Sequence, residues 1–308
     1  MKFVRTEDLK AGMRLAKPIY NKKGVLLYER NSALTAPGIA SAKNFGLIGV
    51  YVLEPAEPLP PMTQEDLEFE RFQIKAVSAI EEELDRILKT RKQSRIQTIA
   101  DMVIRNYGHL DEKINFYQNL RSLEDYVSRH SLNVAILCAM ITHVMNIRRE
   151  EQYHTVCAAL LHDMGKLKKH EDVYFGAPYS REDAIRNCET QEEAYSVIED
   201  AFATEGPAIR RICQQAAGKQ LDLFPEEGKE SRYKMLEGSN VLLVANRYDE
   251  ITAMTLQGTA QSEVKAAQEL LEHPEVYDPE TVQALLRSIN ILPPGASVEL
   301  STGEKALV

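Results

Sequence analysis

The 308-residue chain has no tryptophan, only four cysteines and no purely apolar run longer than eight residues. The longest such run, residues 134–141, falls well short of the roughly 17 residues that a bilayer span needs. The first residues also lack the apolar core of a signal peptide. We therefore expect a cytoplasmic protein that does not enter a membrane.

The cysteines are widely spread, lying 19 or more residues apart with no Cys-x-x-Cys pair. This spacing argues against a zinc knuckle, a redox motif and a disulfide framework. Basic residues are in the minority, with 37 lysines and arginines against 46 acidic residues and a formal charge of −9. An extended phosphate backbone would be repelled by that charge, so DNA and RNA are not expected as partners.

The chain changes character at residues 54–63, which contain four prolines. Prolines favour a stiff, extended connection over a helix or a strand. Before this linker, residues 1–53 alternate short β-like runs with turn signals around a helix predicted over residues 36–44, which indicates a small α+β module. After it, residues 64–308 read as helices followed by a hairpin around residues 302–303. We predict a mainly α protein with a domain boundary at the linker.

Of the helices predicted after the linker, the first begins with a capping box at residues 63–66 and runs to about residue 91. The second, over residues 123–145, places Val127, His130 and Val134 on one buried stripe at spacings of three and four. A histidine therefore lies inside an apolar stripe. Further helices are predicted at residues 149–163, 181–201, 207–215, 231–254, 262–272 and 279–290.

An apolar helical run ends at the adjacent pair His162 and Asp163, which Gly165 and Lys166 follow. Two explanations fit this segment. The pair can hold a divalent metal, because imidazole nitrogen and carboxylate oxygen are ordinary ligands of iron, manganese and zinc. Alternatively it is a helix C-terminus, where His162 caps carbonyl groups, Gly165 ends the helix and Lys166 complements the helix dipole.

Polar residues within or next to two other apolar runs favour the metal explanation. His130 lies about 30 residues upstream, on a helix expected to run antiparallel to the one that ends at His162. Asn246 and Asp249 follow an apolar run, and their spacing of three puts them on one helix face. A single histidine on an apolar face is more often a hydrogen-bonded core residue, but two histidines with an aspartate are harder to explain in that way.

The order of these residues resembles the HD superfamily of metal-dependent phosphohydrolases, and within it the HD-GYP branch, whose active members hydrolyse cyclic di-GMP. Residues 129–135 (RHSLNVA), 159–166 (ALLHDMGK) and 244–252 (VANRYDEIT) are similar to the first-histidine helix, the signature motif and the last-ligand helix. Residues 8–52 resemble a module often found in front of such domains. The resemblance implies a helical HD-domain bundle with a small N-terminal α+β module and a C-terminal hairpin.

The chain departs from the HD-GYP pattern at several metal-binding positions. Residues 171–272 contain no histidine, although the family has one after the signature motif and then a His-His-Glu run. By spacing, that run falls on residues 215–217 (QAA), and the Gly-Tyr-Pro falls on residues 223–225 (LFP). The last aspartate ligand falls on Asn246. The glutamate that some members have before the first histidine falls on Tyr126.

The resemblance therefore implies an incomplete metal site. His130, His162 and Asp163 remain as ligands, with Asn246 as a weaker neutral oxygen ligand and Asp249 as a substitute one turn away. Such a site would hold one divalent ion, iron, manganese, zinc or magnesium, or none.

Two functions stay open at this point. In the first, the HD core is a regulatory or binding module in signalling, with little or no cyclic di-GMP hydrolysis, because the ligands of a second ion are missing. In the second, it is a single-metal phosphohydrolase acting on a nucleotide or phosphomonoester, in which Asp163 and Lys166 serve catalysis and Lys166 binds a phosphate oxygen. The implied partners are a nucleotide or phosphate ligand and a protein, including a second copy of the chain paired through its first long helix.

Overall fold

The protein, described here by a computed structural model, is mainly helical, which confirms the predicted fold class. Pro55 and Ala56 of the predicted linker and position 225 of the Gly-Tyr-Pro alignment lie outside the described residues. The described residues are 1–21, 25–54, 57–168, 180–224, 234–255 and 260–308.

The first 53 residues form an α+β unit built on a three-stranded antiparallel sheet in the order β1-β5-β2, beside a β3-β4 pair. Val52 in the central strand faces Lys2 of β1 on one side and Leu15 of β2 on the other. Side chains on one face of the sheet, including Leu15 and Val50, join a small hydrophobic cluster. The elements are β1 (Lys2–Arg5), β2 (Arg14–Leu15), β3 (Ile19–Tyr20), β4 (Leu26–Tyr28), α1 (Ala36–Asn44) and β5 (Gly49–Leu53).

The rest of the described chain is a bundle of nine helices closed by a hairpin of two short strands. One helix, α3, was not predicted from the sequence, although its buried residues recur at helical spacing. The helices are α2 (Gln64–Thr90), α3 (Ile96–Tyr107), α4 (Tyr126–Val144), α5 (Arg149–Leu161), α6 (Arg181–Phe202), α7 (Gly206–Gln220), α8 (Glu237–Thr252), α9 (Glu263–Glu272) and α10 (Pro279–Ser288); the strands are β6 (Ser297–Glu299) and β7 (Lys305–Leu307).

Helix α4 lies at the centre of the bundle and packs against α2, α3, α5, α8 and α10. Sixteen of its 19 residues are buried. Its long apolar run leaves it no polar face, so it is stable only when other helices surround it. His130 and Asn133 are consequently held away from water and need partners within the protein.

The larger hydrophobic cluster runs through the helical bundle, and the smaller one lies within the first 53 residues. The domain boundary at residues 54–63 stays a prediction. The closing hairpin contacts this linker, because Lys305 donates to Glu54 at 2.6 Å and Gly295 lies against Pro60 and Pro61. Within the described residues, no helix has both the length and the apolar character needed to cross a membrane.

Helices α2 and α3 are joined by a turn that one buried carboxylate holds. The capping box predicted at Thr63 is confirmed at the start of α2. Near its other end, Glu83 accepts hydrogen bonds from the backbone N–H of Ser94 and from that of Arg95, the latter at 2.8 Å. These N–H groups precede the first turn of α3 and have no helical partner of their own. Glu83 therefore ties the start of α3 to α2.

We expect Glu83→Ala to lower the free energy of unfolding by about 2 kcal/mol, because it removes a charged acceptor shared by two backbone N–H groups at the start of α3. Glu82→Ala is the matched control. Its carboxylate pairs with Arg95 on the surface, where both side chains are more than half exposed, and its loss should cost less than about 1 kcal/mol. Urea denaturation measures both values, and equal losses would contradict the capping role.

Candidate metal centre

Four polar side chains meet at the centre of the helical bundle. His130 comes from α4, and Asn246 comes from α8. His162 and Asp163 directly follow α5. His130 Nε2 lies 3.2 Å from His162 Nε2, and Asn246 Oδ1 lies 2.9 Å from the first nitrogen and 3.0 Å from the second. Asp163 Oδ2 lies 3.4 Å from His130 Nε2. The structure thus brings together four of the five residues proposed as ligands from the sequence.

The turn after α5 directs Asp163 into the bundle. It continues as a short 3-10 helix, Met164–Lys168. Gly165 lies so close to α6 that a Cβ atom there would collide with the backbone oxygen of Thr190. The Gly165 N–H also donates to Gln191 Oε1 at 3.0 Å. Glycine is therefore required here by the close approach of α6, and this approach fixes the turn that carries Asp163.

A buried carboxylate sets the orientation of His130. Asp249 Oδ2 lies 2.6 Å from His130 Nδ1, and both side chains are almost fully shielded from water. Burial alone would raise the pKa of Asp249, but the Arg121 guanidinium and His130 hold that pKa well below its ordinary value. An ionised carboxylate only accepts hydrogen bonds, so we assign the ring proton to Nδ1. His130 Nε2 then presents a lone pair to the centre of the site.

Asp249 does not take the ligand role that its spacing suggested. Its two oxygens accept from Arg121 Nη2 at 2.9 and 2.7 Å. Oδ1 also accepts from Gln118 Nε2 at 3.0 Å and from Asn133 Nδ2 at 2.9 Å. Together with the contact to His130, these bonds use the lone pairs of the carboxylate and leave none for an ion. Asp249 instead fixes His130, a candidate ligand, from behind.

His162 is oriented by its own helix. Its Nδ1 atom lies 2.8 Å from the carbonyl oxygen of Ala159. A carbonyl oxygen can only accept, so Nδ1 carries the proton and Nε2 presents a lone pair to the same centre. Burial lowers the pKa of His162 below its ordinary value. The ring is therefore neutral near pH 7, as a metal ligand must be.

The amide of Asn246 is oriented in the same sense. Its Nδ2 atom donates to Glu250 Oε1 at 3.1 Å, one helical turn further along α8. The amide oxygen is thereby turned toward the two histidines. Glu250 in turn accepts from Gln220 Nε2 at 3.0 Å and from Arg247 Nη1 at 3.3 Å.

The donor set fits a divalent metal ion. Two histidine nitrogens and one amide oxygen converge at 2.9 to 3.2 Å, and each can direct a lone pair inward. Three such lone pairs repel one another unless a cation lies among them. Ligands about 2.1 Å from one ion lie about 3 Å apart in an octahedral arrangement, which matches these separations. A set of two imidazoles and a carboxylate suits zinc, iron or manganese.

Asp163 supplies the negative charge of the site and is paired with Lys166. Asp163 Oδ2 accepts from Lys166 Nζ at 2.6 Å, and both side chains are buried. Burial alone would raise the pKa of Asp163, but Lys166 and the two histidines hold it well below its ordinary value. The carboxylate is therefore ionised throughout the neutral pH range.

A cavity of about 450 Å³ opens from this centre, and His162, Asp163, Lys166 and Asn246 all line it. Ala216 and Ala217, where the spacing places ligands of a second ion, line the same cavity. Their methyl groups cannot coordinate a metal. The third aligned residue, Gln215, accepts from the Leu236 N–H and from Ser239 Oγ, both at 2.9 Å, in a contact between α7 and the start of α8.

Four residues that hold the ligands in place were not predicted from the sequence. Asn133 could have been found, because it is a buried amide three residues after His130 on an otherwise apolar helix. Glu250 follows Asn246 by four residues and was equally visible. Gln118 and Arg121 lie in an irregular segment between α3 and α4, where no periodic pattern indicates burial.

Comparison with known proteins gives one family match, and it spans the candidate site. Residues 127–254 match the family model of the HD domain, which confirms the resemblance to the HD superfamily over that segment. No curated protein matches the chain. One similar solved structure is that of Bd1817, an HDG"Y"P protein from Bdellovibrio bacteriovorus, with 16% identity, coverage of 92% of this chain and 97% of that chain, and a TM-score of 0.39.

We expect the purified protein to hold about one transition-metal ion per chain, and His162→Ala or Asp163→Ala to lose it, because each variant removes one of few strong ligands. Plasma mass spectrometry of identically prepared proteins measures the content. His143→Ala is the control, since His143 lies at the surface against Asp111. Equal metal content in the wild type and Asp163→Ala would refute the assignment.

Proposed function

We propose, starting from the HD domain at residues 127–254, that the protein is a mononuclear metal-dependent phosphohydrolase acting on a phosphomonoester such as a nucleotide. The observation that carries this proposal is the convergence of the His130, His162 and Asn246 lone pairs beside Asp163. That set leaves part of an ion's coordination open toward the cavity. Open positions are typical of catalytic metal sites, whereas structural sites are closed by protein ligands.

Asp163 and Lys166 have different roles at this centre. A divalent ion held there would supply the Lewis acidity that makes water a nucleophile near neutral pH. Asp163 stays ionised and serves as a ligand, so it does not donate the proton to the leaving group. Lys166, buried at the cavity beside Asp163, can donate to a phosphate oxygen and offset the charge that develops on it.

We further propose that cyclic di-GMP hydrolysis is absent or very slow. In a two-metal mechanism the ions clamp the attacking and leaving oxygens of the phosphate together. Ala216 and Ala217 occupy positions that the HD-GYP pattern gives to ligands of the second ion. Their presence in the cavity wall supports a centre of one ion.

A regulatory role in signalling is the second candidate function. It is supported by a cleft of about 540 Å³ between the N-terminal unit and the helices, lined in part by Lys17 and Gln118. Lys17 Nζ donates to the Gln118 backbone oxygen at 2.6 Å, while the Gln118 side chain donates to Asp249. A ligand or protein partner at this cleft would contact residues directly behind the metal centre. Pairing of two chains through α2 stays a prediction.

We expect the metal-loaded protein to release phosphate from a panel of nucleoside monophosphates, and Lys166→Met to lower kcat/KM by about 10- to 100-fold, which corresponds to roughly 1.4 to 2.7 kcal/mol. Lys168→Met is the matched control, because Lys168 lies in the same turn but is exposed. Its kcat/KM should equal that of the wild type. The proposal fails if Lys166→Met is fully active, or if the protein linearises cyclic di-GMP with a turnover that His162→Ala abolishes.

A further inference from the structure

We propose that Glu250 is a positioning residue that makes the neutral side chain of Asn246 an effective metal ligand, so that the amide at position 246 is matched to Glu250. This inference rests on the metal centre of the proposed function. It changes the interpretation of the site, because the replacement of an aspartate by Asn246 is then a paired feature of this chain and not a lost ligand.

Glu250 lies one helical turn after Asn246 and is held by contacts that reach three helices. Its Oε1 atom accepts from Asn246 Nδ2 at 3.1 Å within α8. Its Oε2 atom accepts from Gln220 of α7 and from Arg247 of α8. Arg247 also donates to Glu269 of α9 through Nε at 2.7 Å. Glu250 is 6% exposed, so these contacts fix the position of its carboxylate.

The carboxylate decides which end of the Asn246 amide faces the metal centre. The nitrogen and oxygen ends of an amide have nearly the same shape, but only the oxygen can bind a cation. Glu250 Oε1 accepts from the NH2 end of the amide, which leaves the oxygen facing His130 and His162. The negative charge also polarises the amide and increases electron density on its oxygen. An amide held in this way is a better ligand than a free one.

An ionised aspartate at position 246 could not both bind the ion and donate a hydrogen bond to Glu250. One of its oxygens would take the place of Nδ2, about 3 Å from Glu250 Oε1, and the hydrogen bond that the amide donates there would be lost. Two buried carboxylates at that distance repel strongly because little water screens them. Asparagine accepts on one side and donates on the other, and it therefore satisfies the ion and Glu250 together.

The test measures metal affinity and does not depend on turnover. Zn²⁺ affinity is measured by competition with a chromophoric chelator, and the absorption spectrum of bound Co²⁺ reports the ligand set. We expect Glu250→Leu, which removes the acceptor, to weaken Zn²⁺ binding by about 10- to 100-fold and to change the Co²⁺ spectrum. Glu250→Gln keeps an acceptor for Asn246 Nδ2 and should bind within about threefold of the wild type. Glu269→Gln is the matched control, since Glu269 touches Arg247 but not Asn246.

A double-mutant cycle separates matching from simple ligand strength. Alone, Asn246→Asp should bind Zn²⁺ no more tightly than the wild type. In the Glu250→Gln background the same substitution should tighten binding by about tenfold or more, because the introduced amide can donate where the Glu250 carboxylate repels.

Each outcome has a defined meaning. A wild type that binds no Zn²⁺ overturns the proposed function and this inference with it. A wild type that binds Zn²⁺ while Glu250→Leu binds equally well overturns this inference alone. The same holds if Asn246→Asp tightens binding equally in both backgrounds. If Glu250→Leu fails to fold, the cycle built on Glu250→Gln still decides the question.

Discussion

The ion pair between Arg121 and Asp249 is the interaction on which the rest of the bundle centre depends. Neither side chain is exposed, and the two join the irregular segment before α4 to helix α8. Removing one partner of such a pair typically costs about 3 to 5 kcal/mol, because the remaining charge stays buried. Gln118 and Asn133 complete the contacts of the carboxylate. The lone pairs of the Asp249 carboxylate are therefore all used, and this makes the buried negative charge tolerable among apolar helices.

The hydrogen bonds that begin at this pair also orient the side chains of the candidate metal centre. Asp249 holds His130, the Ala159 carbonyl holds His162, and Glu250 holds Asn246. Each ligand atom is thus fixed by a hydrogen bond on its far side, an arrangement common around metals in proteins. Preorganisation of this kind means that the side chains lose little freedom when an ion binds. It also explains how a site with fewer charged side chains than the HD-GYP pattern can keep a defined geometry.

Most of the helices, and most of the residues that meet at the candidate site, could be predicted because they depend on local patterns. His130 and the His162–Asp163 pair are polar residues within or at the end of apolar helical runs. Such residues can be recognised from a single sequence. Asp249 was misassigned because spacing along α8 shows which residues share a face but not what lies opposite them. Arg121 could not be predicted, since its position depends on the path of an irregular segment. The role of Glu250 required knowing which end of an amide faces inward.

Gln118 belongs to two sets of contacts at once. Its backbone oxygen receives Lys17 of the N-terminal unit, and its side chain donates to the carboxylate behind His130. By thermodynamic reciprocity, any free energy that metal loading adds to the docking of the N-terminal unit is returned as an equal gain in metal affinity when that unit docks. Gln118 thus connects the first 53 residues to the residues behind the candidate metal site. Deleting those 53 residues and measuring the metal affinity, or removing the metal and measuring how firmly the N-terminal unit docks, should give the same coupling free energy.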